Sequence, residues 1–346
     1  MGLPRLAMGL FVIIASVLIL DQTKAVLIPF VLALIVWYMI RLVQVRFKRI
    51  TFRGRALPRW LRGVLAFATI AGVLSLFISL LISNINNVAD LLPQYEQNLS
   101  VMRSQIEQLT GFDLGRQLDT YLRGMDVGMV LTLVLNALTS LLGNGTLVLI
   151  YVAFIMLEER HVREKLVAMH NGGGIERTRA MLDRVDASLS HYVTLKTGMS
   201  LLTGVVSYVA LLIIGVDLAF FWAMLIFLLN YIPTVGSLLA TVFPALVAAV
   251  QFGSLGPALW VLGSVGAIQL LVGNMLEPRL MGNSLNVSPL VVLLSLAFWG
   301  WLWGILGMFL SVPITVVMVL VMAQFPATRW AAVLLSEKGR LKEETS

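Results

Sequence analysis

The residues of this chain that could contact a ligand are neutral and lie in hydrophobic surroundings. The stretch "NYIPTVGSLLATVFP", Asn230 to Pro244, places two prolines, a glycine, an asparagine and several hydroxyl side chains inside one of the most apolar parts of the sequence. In hydrocarbon, irregular polar backbone persists only where it is buried in protein or lines water. This segment therefore predicts a solute pathway.

Reactive chemistry has few candidate residues. The chain has no cysteine, which removes thiolate nucleophiles and cysteine-based metal sites. His161, His170 and His191 lie in a charged stretch without metal-ligand spacing. No phosphate-binding loop of the nucleotide-binding type occurs. We expect no enzyme activity, no cofactor and no bound metal.

The composition is that of a protein that lives in a lipid bilayer. Of 346 residues, 59% are hydrophobic and 12% are charged, and the mean hydropathy is +0.91. That is too little polar surface to cover a water-soluble globule of this size. Apolar runs of about 20 residues, the length that crosses a bilayer as helix, recur along the chain. The sequence predicts an all-α, polytopic membrane protein.

Charge placement predicts the topology. Basic residues are concentrated at 41–63, after the fourth span and at the C-terminus, and such clusters mark cytoplasmic segments. The net charge of +7 therefore indicates orientation, with both termini cytoplasmic, and no nucleic acid partner. The predicted order is three spans in 1–82, external amphipathic helices in 83–128, a span in 129–157, a cytoplasmic amphipathic region in 158–198, a transport core in 199–324 and a cytoplasmic tail in 325–346.

Two long apolar runs of the core, 218–250 and 290–323, are broken by proline and glycine. Each could be one broken helix, or two half-helices that return to the side they entered. Pro233 removes a backbone donor and Gly236 permits a tight reversal. "LAFWGWLWGILGMFLSVP", Leu296 to Pro313, loosely echoes "LAFFWAMLIFLLNYIP", Leu218 to Pro233. We predict two re-entrant hairpins in an inverted repeat, the arrangement in which transporters build a midplane site.

Candidate site residues follow from this arrangement. A cavity of neutral polar groups can hydrogen-bond a small uncharged solute without an ion pair. The predicted pathway residues are Asn230, Tyr231, Pro233, Thr234, Gly236, Ser237, Gln269, Asn274, Trp299, Ser311 and Pro313.

Three charged residues of the core are candidates for gating or ion coupling: Asp217, Glu277 and Arg279. Glu277 could instead form an end-of-span ion pair beside Arg279, and Asp217 could simply cap the segment that starts at Leu218. Asn230 could be a structural clamp or a substrate contact.

An external stripe of apolar residues recurs at helical spacing: Leu92, Tyr95, Leu99, Met102, Ile106 and Leu109. It could pack on its own protomer or on a neighbouring subunit.

Several linked motifs resemble the autoinducer-2 exporter family of bacterial inner-membrane permeases. They are "LLNYIPTVGS", "GNMLEPRLMG", "SPLVVLLSLAFWGWLWG" and "GMFLSVPITVV". The resemblance implies an inner-membrane secondary transporter that exports a small signalling molecule in quorum sensing, and assembly as a homo-oligomer. Some relatives act as sodium/proton antiporters. Export of autoinducer-2, cation/proton antiport and a non-transporting membrane scaffold remain open.

Overall fold

The structure is a computed structural model, and it describes residues 3–47, 51–52, 55–58, 60–76, 145–168, 175–281 and 286–337, together with Ser79, Leu80, Ser83, Gln94, Tyr95, Gln97, Asn98 and Gly339. The remainder of the predicted external region 83–128, including the other five stripe residues, lies outside the described residues, as does 129–144.

The described chain is almost entirely helical. Its helices are α1 (Leu3–Gln22), α2 (Lys24–Phe47), α3 (Trp60–Leu76), α4 (Gly145–Ala168), α5 (Ile175–Ile214), α6 (Ala219–Leu229), α7 (Val235–Phe252), α8 (Leu255–Leu271), α9 (Glu277–Met281), α10 (Pro289–Gln324) and α11 (Arg329–Leu335). A π-helical turn, Val272–Leu276, joins α8 to α9, and two-residue strands, Thr51–Phe52 and Arg55–Ala56, pair between α2 and α3.

The all-α, polytopic membrane fold is confirmed. Five helices in the described ranges are long and apolar enough to cross a bilayer: α2, the Arg179–Ile214 part of α5, α7, the α8–α9 segment and α10. Large apolar side chains lie fully on the outside, among them Ile213 at 81% and Trp301 at 74% exposure. Water would disfavour such a surface, whereas lipid accommodates it.

The chain divides into two compact units. One comprises Met1–Ala66, Leu141–Val193 and Asn283–Ser346, and the other comprises Phe67–Ser140 and Thr194–Gly282. The division falls within α5, which runs unbroken through the predicted boundary at residue 198.

The second unit contains a helical hairpin in place of one long helix over 218–250. Helix α6 has 11 residues, about 16 Å of rise, which is too short to cross a bilayer. A turn over 230–234 reverses the chain, and α7 then packs against both α6 and α8. Thr234 in this turn has a positive φ of 58°. A Cβ on Gly236 would lie 1.8 Å from the carbonyl oxygen of Leu229, so glycine is required by this close approach.

The first unit contains a second reversal, inside α10. Gly304 has non-helical backbone angles, φ 63° and ψ −145°. Beyond it the chain returns, because a Cβ on Gly307 would lie 1.8 Å from the carbonyl oxygen of Trp299. Both predicted breaks are therefore present. Re-entry into the membrane and the inverted repeat remain predictions.

Contacts around α2 hold the first unit together. It packs against α1, α4 and α10, and the Trp303 indole in α10 donates a hydrogen bond to the carbonyl of Leu20, 3.1 Å away. Near the end of α2, Arg41 forms an ion pair with Asp186 of α5.

Candidate functional site

The turn between α6 and α7 is fastened to α5 by neutral hydrogen bonds. The Asn230 amide donates to the Ser200 hydroxyl at 3.0 Å, and both side chains are buried. The Tyr231 and Thr197 hydroxyls share a hydrogen bond of 2.7 Å. The Asn230 side chain therefore fastens the turn to α5, and its role as a structural clamp or a substrate contact stays a prediction.

A buried ion pair lies beside this turn. The Lys196 ammonium is 2.6 Å from a carboxylate oxygen of Glu277, and their side chains are 7% and 17% exposed. The π-helical turn immediately precedes Glu277, whose N–H bonds the carbonyl of Val272. Such a turn adds one residue to the helix and rotates the residues after it, which is how the segment directs Glu277 to Lys196.

This pair corrects one sequence interpretation. Glu277 contacts Lys196, while Arg279 lies exposed on the short helix α9. Lys196 lies at the end of the predicted cytoplasmic region 158–198, where a cation by itself indicates only orientation. The missed signal was spacing, because Lys196, Ser200, Thr203 and Ser207 recur at intervals of four, three and four residues, which is one face of a helix.

That polar face of α5 is fully covered. Lys196 is 6% exposed, and Ser200, Thr203 and Ser207 are each 0% exposed. Between them Gly204 packs against α6, since a Cβ there would lie 3.1 Å from the carbonyl of Ala223. Small residues allow membrane helices to approach this closely.

The other predicted residues of this unit differ in burial. Gln269 is buried at 7% exposure. Pro233 and Ser237 are half-buried, and Thr234 and Asn274 are exposed. The Ser237 hydroxyl donates to the Thr234 carbonyl at 2.8 Å.

Asp217 belongs to a separate polar cluster. The Tyr95 hydroxyl donates to its carboxylate at 3.0 Å, and its backbone N–H donates to the Gln251 side chain at 2.7 Å. Gln251 in turn donates to the Gly215 carbonyl and accepts from Asn98 through its own carbonyl. No side chain caps α6, which begins after Leu218 in the left-handed region, so the capping interpretation of Asp217 is wrong.

Tyr95 is the one residue of the external stripe that the structure describes. It is 2% exposed within its own chain, and burial, followed by the charge of Asp217, raises the pKa of its hydroxyl above the ordinary value. The hydroxyl therefore stays protonated and continues to donate.

Trp299, Ser311 and Pro313 lie in the first unit and are all buried. The Trp299 ring packs on Trp303 with centroids 4.9 Å apart. The Ser311 hydroxyl bonds the Met308 carbonyl, and the Thr315 hydroxyl bonds the Ser311 carbonyl. Ser237 and Thr241 repeat the same pattern in α7. In both hairpins the second arm thus carries hydroxyls that satisfy their own donors locally.

The described ranges contain no candidate metal site, because no group of three or more of their His, Asp or Glu side chains could hold a metal ion.

Comparisons with known proteins identify the family. The family model described as "AI-2E family transporter" matches residues 6–327. The chain is 36% identical over 324 residues to AI-2 transport protein TqsA of Escherichia coli K12, covering 91% of this chain and 90% of that protein.

Two further relatives are described only as putative transport proteins. One, from Haemophilus influenzae, is 32% identical over 97% of both chains. The other, YhhT of Escherichia coli K12, is 35% identical over 70% of both chains. With a family model covering nearly its whole length, this chain belongs to the AI-2E family of transporters.

Proposed function

We propose that this protein exports a small, neutral, polar solute, autoinducer-2, across the bacterial inner membrane. The observation that carries the proposal is the similarity over nine-tenths of the chain to a protein named for transport of AI-2. The buried polar groups around the α6–α7 turn support the solute class, because Asn230, Tyr231, Ser200 and Thr197 are all uncharged. Such groups bind hydroxyls without an ion pair.

The mechanism that fits this site is secondary transport through the two broken hairpins. We propose that both hairpins are re-entrant, that the C-terminal half of the chain contains an inverted repeat in which the second span and hairpin are inverted relative to the first, and that both termini are cytoplasmic. The short helix α6 supports re-entry, since it cannot reach across a bilayer. The resemblance to the family supports a homo-oligomer.

Labelling of single cysteines tests the hairpins, because the natural chain has none. Ser254→Cys should react with a membrane-impermeant maleimide from outside the cell, and Asn283→Cys should not. The reverse pattern would mean that the hairpins are full crossings.

One observation favours cation/proton antiport as a second candidate. The Lys196–Glu277 pair, with side chains 7% and 17% exposed, lies where α5 enters the transport core, and ionisable groups inside membrane proteins commonly serve ion or proton pathways. If the pair bound a proton in one conformation of the transporter and released it in the other, its charge would change. That change would couple proton movement to the transport of a cation.

Flux through proteoliposomes separates these functions. We expect labelled autoinducer-2 to leave liposomes containing the protein, with a rate that depends on whichever ion gradient drives export. Sodium or proton exchange without autoinducer-2 flux would favour the antiporter. Absence of every flux would favour the membrane scaffold. Glu277→Gln is the matched variant, which should abolish ion coupling and preserve downhill flux of the solute.

A further inference from the structure

The short helix α11, which follows α10, is apolar on two faces. One face packs on the end of α10, where the buried Ala332 and Val319 form a small hydrophobic cluster. The other face carries Trp330 and Leu334, one helical turn apart, which are 70% and 73% exposed. A helix that packs on the protein with one face and meets water with the other normally carries polar side chains on the second. The Trp330–Leu334 face therefore favours an apolar environment.

The contact with α10 places α11 at the depth of a bilayer surface. Helix α10 is long and apolar enough to cross a bilayer, and it ends at Gln324. Val319, which packs with Ala332, lies about 8 Å before that end at 1.5 Å per residue. Helices that lie in a membrane interface bury their apolar face about 5 to 10 Å into the boundary between head groups and acyl chains. Helix α11 lies within the same range of depth.

The side chains at this end of α10 suit a lipid surface. Met318 of α10 and Phe325 directly after it are exposed, so the apolar outer surface of the spanning helix extends to the level of α11. Tryptophan is enriched where membrane meets water, because its ring is apolar and its N–H can bind head groups. Arg329, beside Trp330, is exposed, and a side chain of its length can reach the head groups with its charge.

Helix α11 also holds the beginning of α10. The backbone N–H of Ser288, directly before α10, donates to the Leu335 carbonyl at 3.0 Å. Val287 packs against the same cluster as Ala332. Since α10 reverses at Gly304, α11 contacts both ends of the second hairpin. An attachment that fixes α11 in the bilayer surface therefore fixes both ends of that hairpin.

We propose that the Trp330–Leu334 face of α11 binds the boundary between head groups and acyl chains of the lipid bilayer, and so anchors both ends of the second hairpin at one membrane surface. The partner of this face is lipid. The anchor requires no particular solute, so it goes beyond the proposed function.

Site-specific fluorescence in lipid nanodiscs tests the anchor, because the natural chain has no cysteine. Leu334→Cys carries a bimane label. Leu294→Cys, at an exposed apolar position of α10, is the control for lipid, and Glu337→Cys, exposed just after α11, is the control for water. Lipids with a nitroxide near the head group quench from the bilayer, and iodide quenches from water. We expect the Leu334 label to be quenched by these lipids as strongly as the Leu294 label, and by iodide several-fold less than the Glu337 label.

Two results would refute the anchor. Iodide quenching at Leu334 as strong as at Glu337 would place the face in water. Weak quenching by both agents would show that protein covers the face, as a second copy of the chain would. The labels report position without any transport, so a wild type that carries no autoinducer-2 would contradict the proposed function and leave the anchor standing.

Stability provides a second test. Trp330→Ser combined with Leu334→Ser should lower the melting temperature in nanodiscs by several degrees, because serine loses the apolar contact with lipid. Glu337→Ser is the matched control and should leave the melting temperature unchanged, as is usual for a surface position in water. A melting temperature as unchanged in the double variant as in the control would contradict the anchor.

Discussion

Gly236→Ala should open the α6–α7 hairpin. The added methyl would lie 1.8 Å from the Leu229 carbonyl oxygen, and it would lie 3.2 Å from the Ile232 Cβ. Non-bonded carbon and oxygen atoms need at least 3.0 Å, so the two segments must separate by about 1.2 Å. The same carbonyl accepts the hydrogen bond from Ile232 N–H that closes the turn, and the movement would break it.

The expected cost is set by these contacts. Overpacking in a tight core costs about 1 to 3 kcal/mol, and a lost buried hydrogen bond adds about 1 kcal/mol. We therefore expect Gly236→Ala to lose about 2 to 4 kcal/mol of unfolding free energy, measured by SDS titration in mixed micelles, and to lose transport.

Gly263→Ala is the matched control. Its position in α8 has open space around the would-be methyl, and alanine favours a helix over glycine by up to about 1 kcal/mol. It should be as stable as the wild type or more so. If Gly236→Ala retains wild-type stability and flux, the close approach at this turn and the reasoning built on it are wrong.

Further predictions concern the ion pair, the external contact and the strained turn. Removing one partner, as in Lys196→Met, should cost about 3 kcal/mol because the part-buried carboxyl of Glu277 loses its ion-pair partner. The double variant Lys196→Met with Glu277→Leu should recover much of this loss, and additive losses in this double-mutant cycle would show that the pair is uncoupled. Tyr95→Phe should lose about 1 kcal/mol at neutral pH. Since the folded pKa of Tyr95 is raised, wild-type stability should fall as pH rises above about 10, the ordinary tyrosine value, and Tyr95→Phe should fall less; parallel pH curves would contradict this. Thr234→Gly should gain about 1 kcal/mol by relieving the positive φ, and a loss in thermal unfolding would show that the turn is unstrained.

The all-α membrane fold could be predicted from the sequence because the bilayer interior restricts which residues a spanning segment can contain. Runs of apolar residues near 20 in length have few alternatives to a spanning helix. The breaks at Pro233 and Gly236 were also predictable, since proline and glycine disfavour a continuous helix. In the second run the break was expected but its residue was not, and the structure places it at Gly304.

The ion-pair partner of Glu277 was harder to predict from the sequence. Glu277 was expected beside Arg279, two residues away, yet it pairs with Lys196, 81 residues earlier. Tertiary packing and the π-helical turn decide that contact, and neither leaves a mark in local composition. Likewise, the role of Gly236 lay in a close approach to Leu229, which only the folded hairpin reveals.

The central claim is that a transport core with broken helices, and with neutral polar groups around its α6–α7 turn, carries autoinducer-2. Efflux of labelled autoinducer-2 from preloaded proteoliposomes, at matched amounts of wild type, Gly263→Ala and Gly236→Ala, tests it most directly. The account predicts efflux well above that of empty liposomes for the first two proteins and near that of empty liposomes for Gly236→Ala. Wild-type efflux no faster than that of empty liposomes, with correctly folded protein, would contradict it.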